Sequence, residues 1–163
     1  MGENVPILSV VTQVALVVRD VEATSRAWAD VLGVTPPVPR ETAPQNRTHA
    51  RYRGEPTQGR AKLAFFDLGT VKLEIIEPIG GPSTWQDHLD RHGEGVHHVA
   101  FEVRGMDGKL AALSARGMET VQRGDFAGGW YAYVDAERKL KVVLELLEET
   151  ADPPHDAAAR PVT

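Results

Sequence analysis

Two pairs of segments, with one member of each pair in either half of the chain, alternate apolar and polar positions as half-buried β-strands do. Residues 13–20 and 98–103 are strand-like runs, and each leads into a stretch whose apolar spacing predicts a helix. Residues 72–77 and 143–148, with the sequences KLEIIE and VLELLE, form the second pair. Each half therefore predicts a strand, a helix and three further strands, which makes the chain an α+β protein of about eight strands and two main helices.

The duplication sets the domain organisation of this 163-residue chain, whose length fits a single domain. The first module covers residues 10–78 and the second covers residues 95–149, with a short linker helix predicted within residues 79–94. The prolines and alanines of residues 150–163 predict a flexible tail. The first module also contains a polar, proline-rich stretch at residues 35–60, here called the insert, which the second module lacks.

Composition narrows the function classes. The chain has no cysteine, which excludes thiolate metal sites, iron–sulfur clusters, thiol nucleophiles and disulfides. Its formal net charge of −5 argues against a nucleic-acid partner, and no apolar run is long enough for a membrane span. Because the N-terminus lacks the basic region of a signal peptide, we expect a cytoplasmic protein.

The insert is locally basic within an acidic chain. Its charged residues are Arg40, Arg47, Arg51, Arg53 and Arg60, against Glu41 and Glu55. Two interpretations of this composition stay open. The insert is either a solvated loop or a rim that attracts an anionic ligand through guanidinium groups.

Four of the predicted strands have one face that is apolar throughout and a second face that includes polar residues. One polar residue on each of these second faces is a candidate functional residue: Gln13, Glu74, His98 and Glu145. Gln13 and His98 occupy equivalent positions of the duplication, and so do Glu74 and Glu145. A pseudo-two-fold axis between the modules would therefore bring all four side chains to one point.

One imidazole nitrogen and three oxygens form a donor set suited to a five- or six-coordinate divalent ion such as Ni, Co, Mn, Fe or Zn, with positions open for water. A cation at this point would offset the repulsion between the two carboxylates. The small residues Ala15 and Ala100 flank the first ligands on the same face and leave room for a substrate. Glu102, one alternation beyond His98, is expected deeper in the concave sheet with a structural role.

The segments that carry these residues resemble a known family. The similarity covers residues 13–34, 68–78, 92–103 and 143–147. They resemble the vicinal oxygen chelate superfamily of glyoxalases, bleomycin resistance proteins and dioxygenases, and within it the methylmalonyl-CoA epimerases. The resemblance implies two βαβββ modules that form a cupped, eight-stranded mixed sheet around a divalent metal ion. Carried over by position, the metal ligands are Gln13, Glu74, His98 and Glu145.

The ligand set and the scaffold resemble different members of that superfamily. The epimerases carry a histidine where Gln13 stands, whereas a Gln, Glu, His, Glu set is that of the human-type glyoxalase I. Glyoxalase I binds glutathione through an arginine and an asparagine, and Val17 and Pro78 occupy those positions here. The resemblance therefore leaves the substrate open between these two members.

The resemblance implies a metal-dependent isomerase or epimerase that removes a proton beside a metal-polarised carbonyl, with Glu145 as the catalytic base and Glu74 as its catalytic partner. The expected substrate is a small anionic carbonyl compound, with an acyl-CoA as one candidate, and the expected assembly is a homodimer. Three alternatives remain: a glyoxalase I-like lactoylglutathione lyase, an extradiol-type dioxygenase and a non-catalytic binding protein of the resistance type. Dioxygenase chemistry favours a second histidine, which Gln13 replaces. The bleomycin binders lack the metal ligands that this chain retains.

Overall fold

A computed structural model describes residues 6–150 of the chain. Within that range ten strands form one curled mixed sheet, and five helices accompany it. None of these helices is long and apolar enough to cross a membrane. The predicted flexible tail, residues 150–163, lies outside the described residues except for Thr150.

The elements follow the order expected for two modules. The strands are β1 (Val11–Val17), β2 (Arg40–Glu41), β3 (Arg51–Tyr52), β4 (Glu55–Pro56), β5 (Gly59–Asp67), β6 (Lys72–Gly80), β7 (Gly95–Glu102), β8 (Thr120–Phe126), β9 (Gly129–Val134) and β10 (Val143–Glu149). The helices are α1 (Val21–Leu32), α2 (Gln45–Thr48), α3 (Thr84–His92), α4 (Met106–Ser114) and α5 (Glu137–Leu140).

The duplication is visible in the strand order β2-β5-β6-β1-β7-β10-β9-β8-β3-β4. Strand β1 pairs in parallel with β6, and its counterpart β7 pairs in parallel with β10. The two modules join through the antiparallel pair β1 and β7 at the centre of the sheet. The four strands of each module therefore run outward from this central pair in the same order, which is the α+β arrangement that the sequence predicted.

The sheet has ten strands where eight were expected, because the insert adds the hairpin of β3 and β4 to the four strands of the first module. Strands β3 and β4 form a short hairpin within the insert, and β3 pairs with β8 at the outer edge of the second module. Strand β2, near the start of the insert, pairs with β5 at the outer edge of the first module. The insert thus reaches both outer edges of the curled sheet, so it is ordered by tertiary pairing.

The outer face of the sheet packs against α1 and α4. Helix α1 begins after Asp20, whose side chain accepts a hydrogen bond from the Ala23 amide at 2.8 Å, and it ends at Gly33 in the left-handed conformation (φ 68°). Its core includes Val21, Ala29, Phe66 and Ile75, while α4 buries Met106 and Leu113 against Leu144 and Leu146. The apolar strand faces therefore lie under the helices, as their alternation predicted.

The inner face of the sheet is covered in part by the linker helix α3. Ser83 caps this helix by accepting a hydrogen bond from the Gln86 amide at 3.1 Å. Its Trp85 and Leu89 pack against Val17 and Ile76 on the inner face. Burial of this apolar pair, about 2 kcal/mol for each fully buried large side chain, fixes α3 across one end of the concave surface.

Candidate metal centre

The strand register places the four predicted polar residues around two alanines. Ala15 in β1 lies beside Glu74 of β6 on one side and beside His98 of β7 on the other. Because side chains at paired positions share a face, Glu74 and His98 both point to the inner face where Ala15 leaves space. A larger residue than alanine at position 15 would stand between the carboxylate and the imidazole.

The second module repeats this arrangement around Ala100. Ala100 in β7 lies beside Gln13 of β1 and beside Glu145 of β10. Both alanines are fully buried, with no exposed surface. The row of paired positions through Ala15 and the row through Ala100 are two residues apart along the strands. Gln13 and His98 therefore lie diagonally opposite each other on the central strands β1 and β7, and each of the neighbouring strands β6 and β10 contributes one carboxylate.

The four side chains meet in one buried cluster. Gln13 Nε2 lies 2.6 Å from Glu74 Oε2 and 3.4 Å from both His98 Nε2 and Glu145 Oε2. His98 Nε2 lies 2.9 Å from Glu145 Oε2 and 3.5 Å from Glu74 Oε2. None of the four residues exposes more than 7% of its surface. The structure therefore brings together all four residues that the sequence proposed as metal ligands.

The electrostatics of this cluster favour a cation. Burial, and to a lesser extent the neighbouring Glu145 carboxylate, raise the pKa of Glu74 well above its ordinary value, although the hydrogen bond from Gln13 lowers it. Two neighbouring buried carboxylates resist ionising together unless a positive charge lies between them. One oxygen from each of Glu74 and Glu145 and one nitrogen of His98 lie within 4.8 Å of one another, a span that a single metal ion can bridge.

The amide nitrogen of Gln13 faces the two carboxylates. It donates hydrogen bonds to Glu74 and Glu145, because carboxylate oxygens accept hydrogen bonds. A half-turn of the amide about its terminal bond exchanges the nitrogen and the oxygen, because the two atoms occupy equivalent positions of the planar group. With the oxygen turned inward, Gln13 would complete a set of three oxygens and one nitrogen around a cation.

His97 fixes the ring of His98 from behind. His97 Nδ1 lies 2.9 Å from His98 Nδ1, and His97 Nε2 lies 3.2 Å from Thr84 Oγ1 at the start of α3. For His98 Nε2 to offer a lone pair to a cation, His98 Nδ1 must carry the proton and donate it to His97 Nδ1. Burial, with His98 and His88 nearby, lowers the pKa of His97 well below its ordinary value, so that His97 is neutral and able to accept.

The cluster forms the floor of a cavity of about 720 Å³. Gln13, Glu74 and Glu145 line this cavity, whereas His98 is fully buried behind them. Its apolar and aromatic walls come from Leu63, Phe65, Val71, Trp85, Phe126, Tyr131, Tyr133 and Leu147. The insert adds Thr42, Ala43, Thr48 and Ala50, so the segment that ties the two sheet edges together also forms one wall.

Two tyrosines stand close to the proposed ligands. The Tyr133 ring lies 5.0 Å from the His98 ring, and the Tyr133 hydroxyl accepts a hydrogen bond from Trp85 Nε1 at 3.1 Å. Burial raises the pKa of both Tyr131 and Tyr133, so that both phenols stay protonated in the physiological range. The sequence analysis did not single out Tyr131, Tyr133 or His97. Pairing of β9 with β10 sets Tyr133 beside Glu145. Alternation alone would put His97 on the face opposite to His98, but a register shift between Ala15 and Leu16 leaves His97 outside the pairing of β1 with β7, and its ring packs against Tyr133.

The arginines of the insert do not line the cavity, among the residues that the structure describes. Arg60 Nη2 donates to Glu41 at 2.9 Å and to the Thr42 carbonyl at 2.7 Å, and Arg53 pairs with Asp87 at 3.4 Å. These contacts hold the insert in place. The structure thus gives the interpretation of the insert as a rim that attracts anions no support from the cavity lining.

Acidic residues surround the rest of the cavity. Besides Glu74 and Glu145, its charged lining residues are Asp67, Lys72, Glu102, Asp125 and Glu149. Glu102 is exposed at the mouth and does not lie deep in the sheet, because β7 ends at that residue. Among the described residues that line the cavity, Lys72 alone is basic, so a negatively charged ligand group within it would be attracted to Lys72 or to a cation held by the buried cluster.

Comparison with known proteins identifies the family. The sequence profile of the glyoxalase/bleomycin resistance protein/dioxygenase superfamily matches residues 12–134. This range covers most of both modules and includes three of the four clustered residues. The chain therefore belongs to that superfamily.

Two curated proteins are similar in sequence. The uncharacterised protein YqjC of Bacillus subtilis is 32% identical over 96 residues, which cover 57% of this chain and 69% of that protein. The mitochondrial methylmalonyl-CoA epimerase of Mus musculus is 29% identical over 104 residues, which cover 63% of this chain and 51% of the mouse protein.

Solved structures of methylmalonyl-CoA epimerases share the fold. The Mycobacterium tuberculosis enzyme superposes with a TM-score of 0.64 at 18% identity, covering 91% of this chain and 93% of that chain. A variant of the Streptomyces coelicolor enzyme in complex with 2-nitronate-propionyl-CoA gives a TM-score of 0.61 at 21% identity, covering 88% and 99%. At these identities the similarity establishes a common architecture.

Proposed function

We propose that this protein is a divalent-metal-dependent isomerase or epimerase, similar to methylmalonyl-CoA epimerase, that removes and returns a proton beside a carbonyl group. The observation that carries the proposal is the meeting of Gln13, Glu74, His98 and Glu145 on the floor of the cavity. Two buried carboxylates, one imidazole and one amide fit a divalent ion such as Ni, Co, Zn, Mn or Fe.

In this proposal the two carboxylates transfer protons on opposite sides of the substrate. Glu74 in β6 and Glu145 in β10 flank the central strand pair from either side, and both line the cavity. A divalent ion held here would polarise the substrate carbonyl and acidify the adjacent C–H bond. We assign Glu145 as the general base that takes the proton from carbon. Glu74 is its partner on the other face, where its carboxyl group, released from the ion and protonated from solvent, would return a proton and so invert the carbon.

His98 and Gln13 act as fixed holding groups in this scheme. His98 is locked by His97 and by the Tyr133 ring, and it has no exposed surface, so it is not available to exchange protons with solvent. Gln13 is a neutral amide, so it neither donates nor removes a proton in the physiological range. This division leaves the two carboxylates as the residues that move protons.

We propose the substrate class from the lining of the cavity. The substrate is a small carbonyl compound with one anionic group near the carbonyl, and a 2-substituted acyl-CoA is one candidate. The mouse relative and the solved epimerases act on or bind CoA thioesters of this kind. A negative group would be attracted to the ion, whereas the apolar and acidic walls favour an uncharged remainder. The phosphates of a CoA carrier would extend beyond the acidic mouth.

A glyoxalase I-like reaction is a second candidate, because the four ligand types are those that the sequence analysis associated with that enzyme. The two positions that bind glutathione in glyoxalase I offer this reaction little support. Val17 is fully buried, and neither Val17 nor Pro78 lines the cavity. A dioxygenase would need a second histidine, and the cluster contains only His98.

Solvent-exchange measurements test the proposed function. Metal-depleted protein is reloaded in turn with Mn²⁺, Fe²⁺, Co²⁺, Ni²⁺ or Zn²⁺, and incorporation of solvent deuterium into 2-substituted acyl-CoAs is followed by NMR. We expect metal-dependent exchange at the carbon beside the thioester carbonyl. Glutathione-dependent turnover of methylglyoxal, at about 10⁴ M⁻¹s⁻¹ or more, would make the lyase the better assignment. Activity that is unaffected by metal removal would refute the metal-dependent mechanism.

We also propose that the protein forms a homodimer. Several large apolar side chains are exposed at the end of α1, in the segment that follows it and after β5: Val31, Val34, Val38 and Leu68. Association of two chains through such a surface would remove it from water. Sedimentation velocity over a range of concentrations would show a species of twice the chain mass, and a monomer throughout that range would refute the proposal.

A further inference from the structure

A second group of potential metal ligands lies where α3 meets α5, next to His97 behind the buried cluster. His88 and His92 are one helical turn apart on α3, and Glu137 is the first residue of α5. One ligand atom from each of these residues lies within 4.8 Å of the others. His92 Nε2 is 3.5 Å from Glu137 Oε1, and the two imidazole rings are 5.0 Å apart between centroids.

His88 is an unusual member of this group because it is buried and one of its nitrogens has no partner. The residue exposes only 9% of its surface. His88 Nδ1 is shielded from solvent and makes no hydrogen bond among the described residues. A buried polar nitrogen is normally satisfied, so an absent partner points to a group that the protein chain does not supply.

We propose that His88, His92 and Glu137 bind a Zn²⁺ ion that ties the linker helix to the second module. Histidines four residues apart on a helix present their rings on one face, which is a common zinc-binding arrangement. Two imidazoles and one carboxylate leave a fourth tetrahedral position for water. This donor set is richer in nitrogen than the buried cluster on the cavity floor, and therefore favours Zn²⁺ more strongly.

The neighbouring charges are compatible with a cation. Arg91 lies next to the group, and its guanidinium is 2.9 Å from Asp87 and 3.4 Å from Glu137 Oε2. Asp87 therefore offsets much of the arginine's charge. The other oxygen of Glu137 faces His92, so Glu137 can contact Arg91 through one oxygen and a metal ion through the other.

The position of this site suggests its role. Helix α3 covers part of the inner face, and its Thr84 contacts His97 behind the buried cluster. The His88 ring also packs edge-on against His97 at 5.2 Å. An ion shared by α3 and α5 would hold α3 against the second module, and with it the residues that support His98. The site is structural and takes no part in the proposed reaction.

Zinc stoichiometry tests the proposal without reference to the first site. Full-length wild-type protein and the His92→Ala and Glu137→Ala variants, which leave no donor atom at these positions, are dialysed against Zn²⁺, and bound zinc is measured by mass spectrometry. Each variant is expected to bind one ion fewer per chain than the wild type, whether or not the buried cluster also binds zinc. His92 and Glu137 are partly exposed, with side-chain exposures of 50% and 28%, so their replacement should leave the fold intact.

A matched control and a spectroscopic readout complete the test. His49→Gln removes another accessible imidazole, with a side-chain exposure of 36%, and should leave the stoichiometry unchanged. Substituted Co²⁺ should give the intense visible absorption of a four-coordinate site in the wild type, and His92→Ala should abolish it. Equal zinc stoichiometry in the wild type and His92→Ala, or a four-coordinate Co²⁺ signal that survives the substitution, would overturn the proposal.

Discussion

His97 Nδ1 lies 2.9 Å from His98 Nδ1, and the two rings stand nearly perpendicular, at 84°. One of these nitrogens must carry the proton between them. Since His97 is kept neutral by burial, its Nδ1 can accept a hydrogen bond from the protonated Nδ1 of His98, which leaves His98 Nε2 with a lone pair on the side of the two carboxylates. Adjacent histidines on one strand thus have separate roles, with one ring on the cluster and the other supporting it.

This relationship predicts that His97→Ala weakens metal binding although His97 is not a ligand. Loss of a residue that orients a metal-binding histidine typically costs about 10- to 100-fold in affinity. His97→Asn should recover much of the affinity, because the asparagine oxygen can occupy the place of Nδ1 and accept the same hydrogen bond. Competition with a chromophoric chelator measures both variants, and unchanged affinity in His97→Ala would show that the pairing does not orient His98.

Glu145→Gln separates metal binding from proton transfer. The amide oxygen can still coordinate an ion, but glutamine cannot remove a proton, so we expect bound metal to be largely retained. Solvent-deuterium exchange should fall by about 10²- to 10⁴-fold. Glu119→Gln, an exposed carboxylate that bonds only to Ser114 among the described residues, serves as the control. Exchange at the wild-type rate in metal-loaded Glu145→Gln would refute its assignment as the base.

Gln13→His is expected to raise the affinity for Co²⁺ and Ni²⁺. Imidazole nitrogen is a stronger donor than an amide oxygen for the later transition metals. The paired residue Ala100 leaves space beside position 13 for the ring. Gln13→Asn, whose shorter side chain holds its amide back from Glu74, should bind the same ions more weakly. Isothermal titration with each metal compares the three proteins, and a histidine variant that binds no better than the wild type would contradict the prediction.

The raised pKa of Glu74 predicts a pH-dependent stability of the metal-free protein. In the unfolded chain this carboxyl has its ordinary pKa of 4.5, whereas the folded protein holds its proton to higher pH. The folded state binds more protons in that interval, so the stabilisation is complete below about pH 4.5 and is lost as the pH rises through the folded-state pKa.

Glu74→Gln removes this contribution, while other titrating groups such as His97 remain. The midpoint of thermal unfolding of the wild type should therefore fall relative to that of Glu74→Gln as the pH rises above about 4.5. Added divalent metal should reverse the loss in the wild type, because an ion favours the ionised carboxylate. Calorimetry across this pH range tests the prediction, and a difference between the two proteins that does not vary with pH would exclude it.

The sequence by itself was sufficient to predict the duplicated modules and the four clustered residues. Alternation along a strand is a local property of the backbone, so Gln13 and His98 are assigned to a face without knowledge of their neighbours. The repeat then supplies the missing long-range information, since equivalent positions of two modules meet across a common axis. The small residues Ala15 and Ala100 follow from the same pattern.

The pairing of the insert with the sheet and the packing of the helices on it became known only from the tertiary structure. The pairing of β3 with β8 joins segments about 70 residues apart, and no periodicity within residues 35–60 specifies it. The placement of α3 over the inner face likewise brings Thr84 to His97 and His92 to Glu137. Such contacts depend on how whole helices pack and on which strands pair at the edges of the sheet. Both are decided by the total surface that the chain buries, which local sequence patterns do not encode.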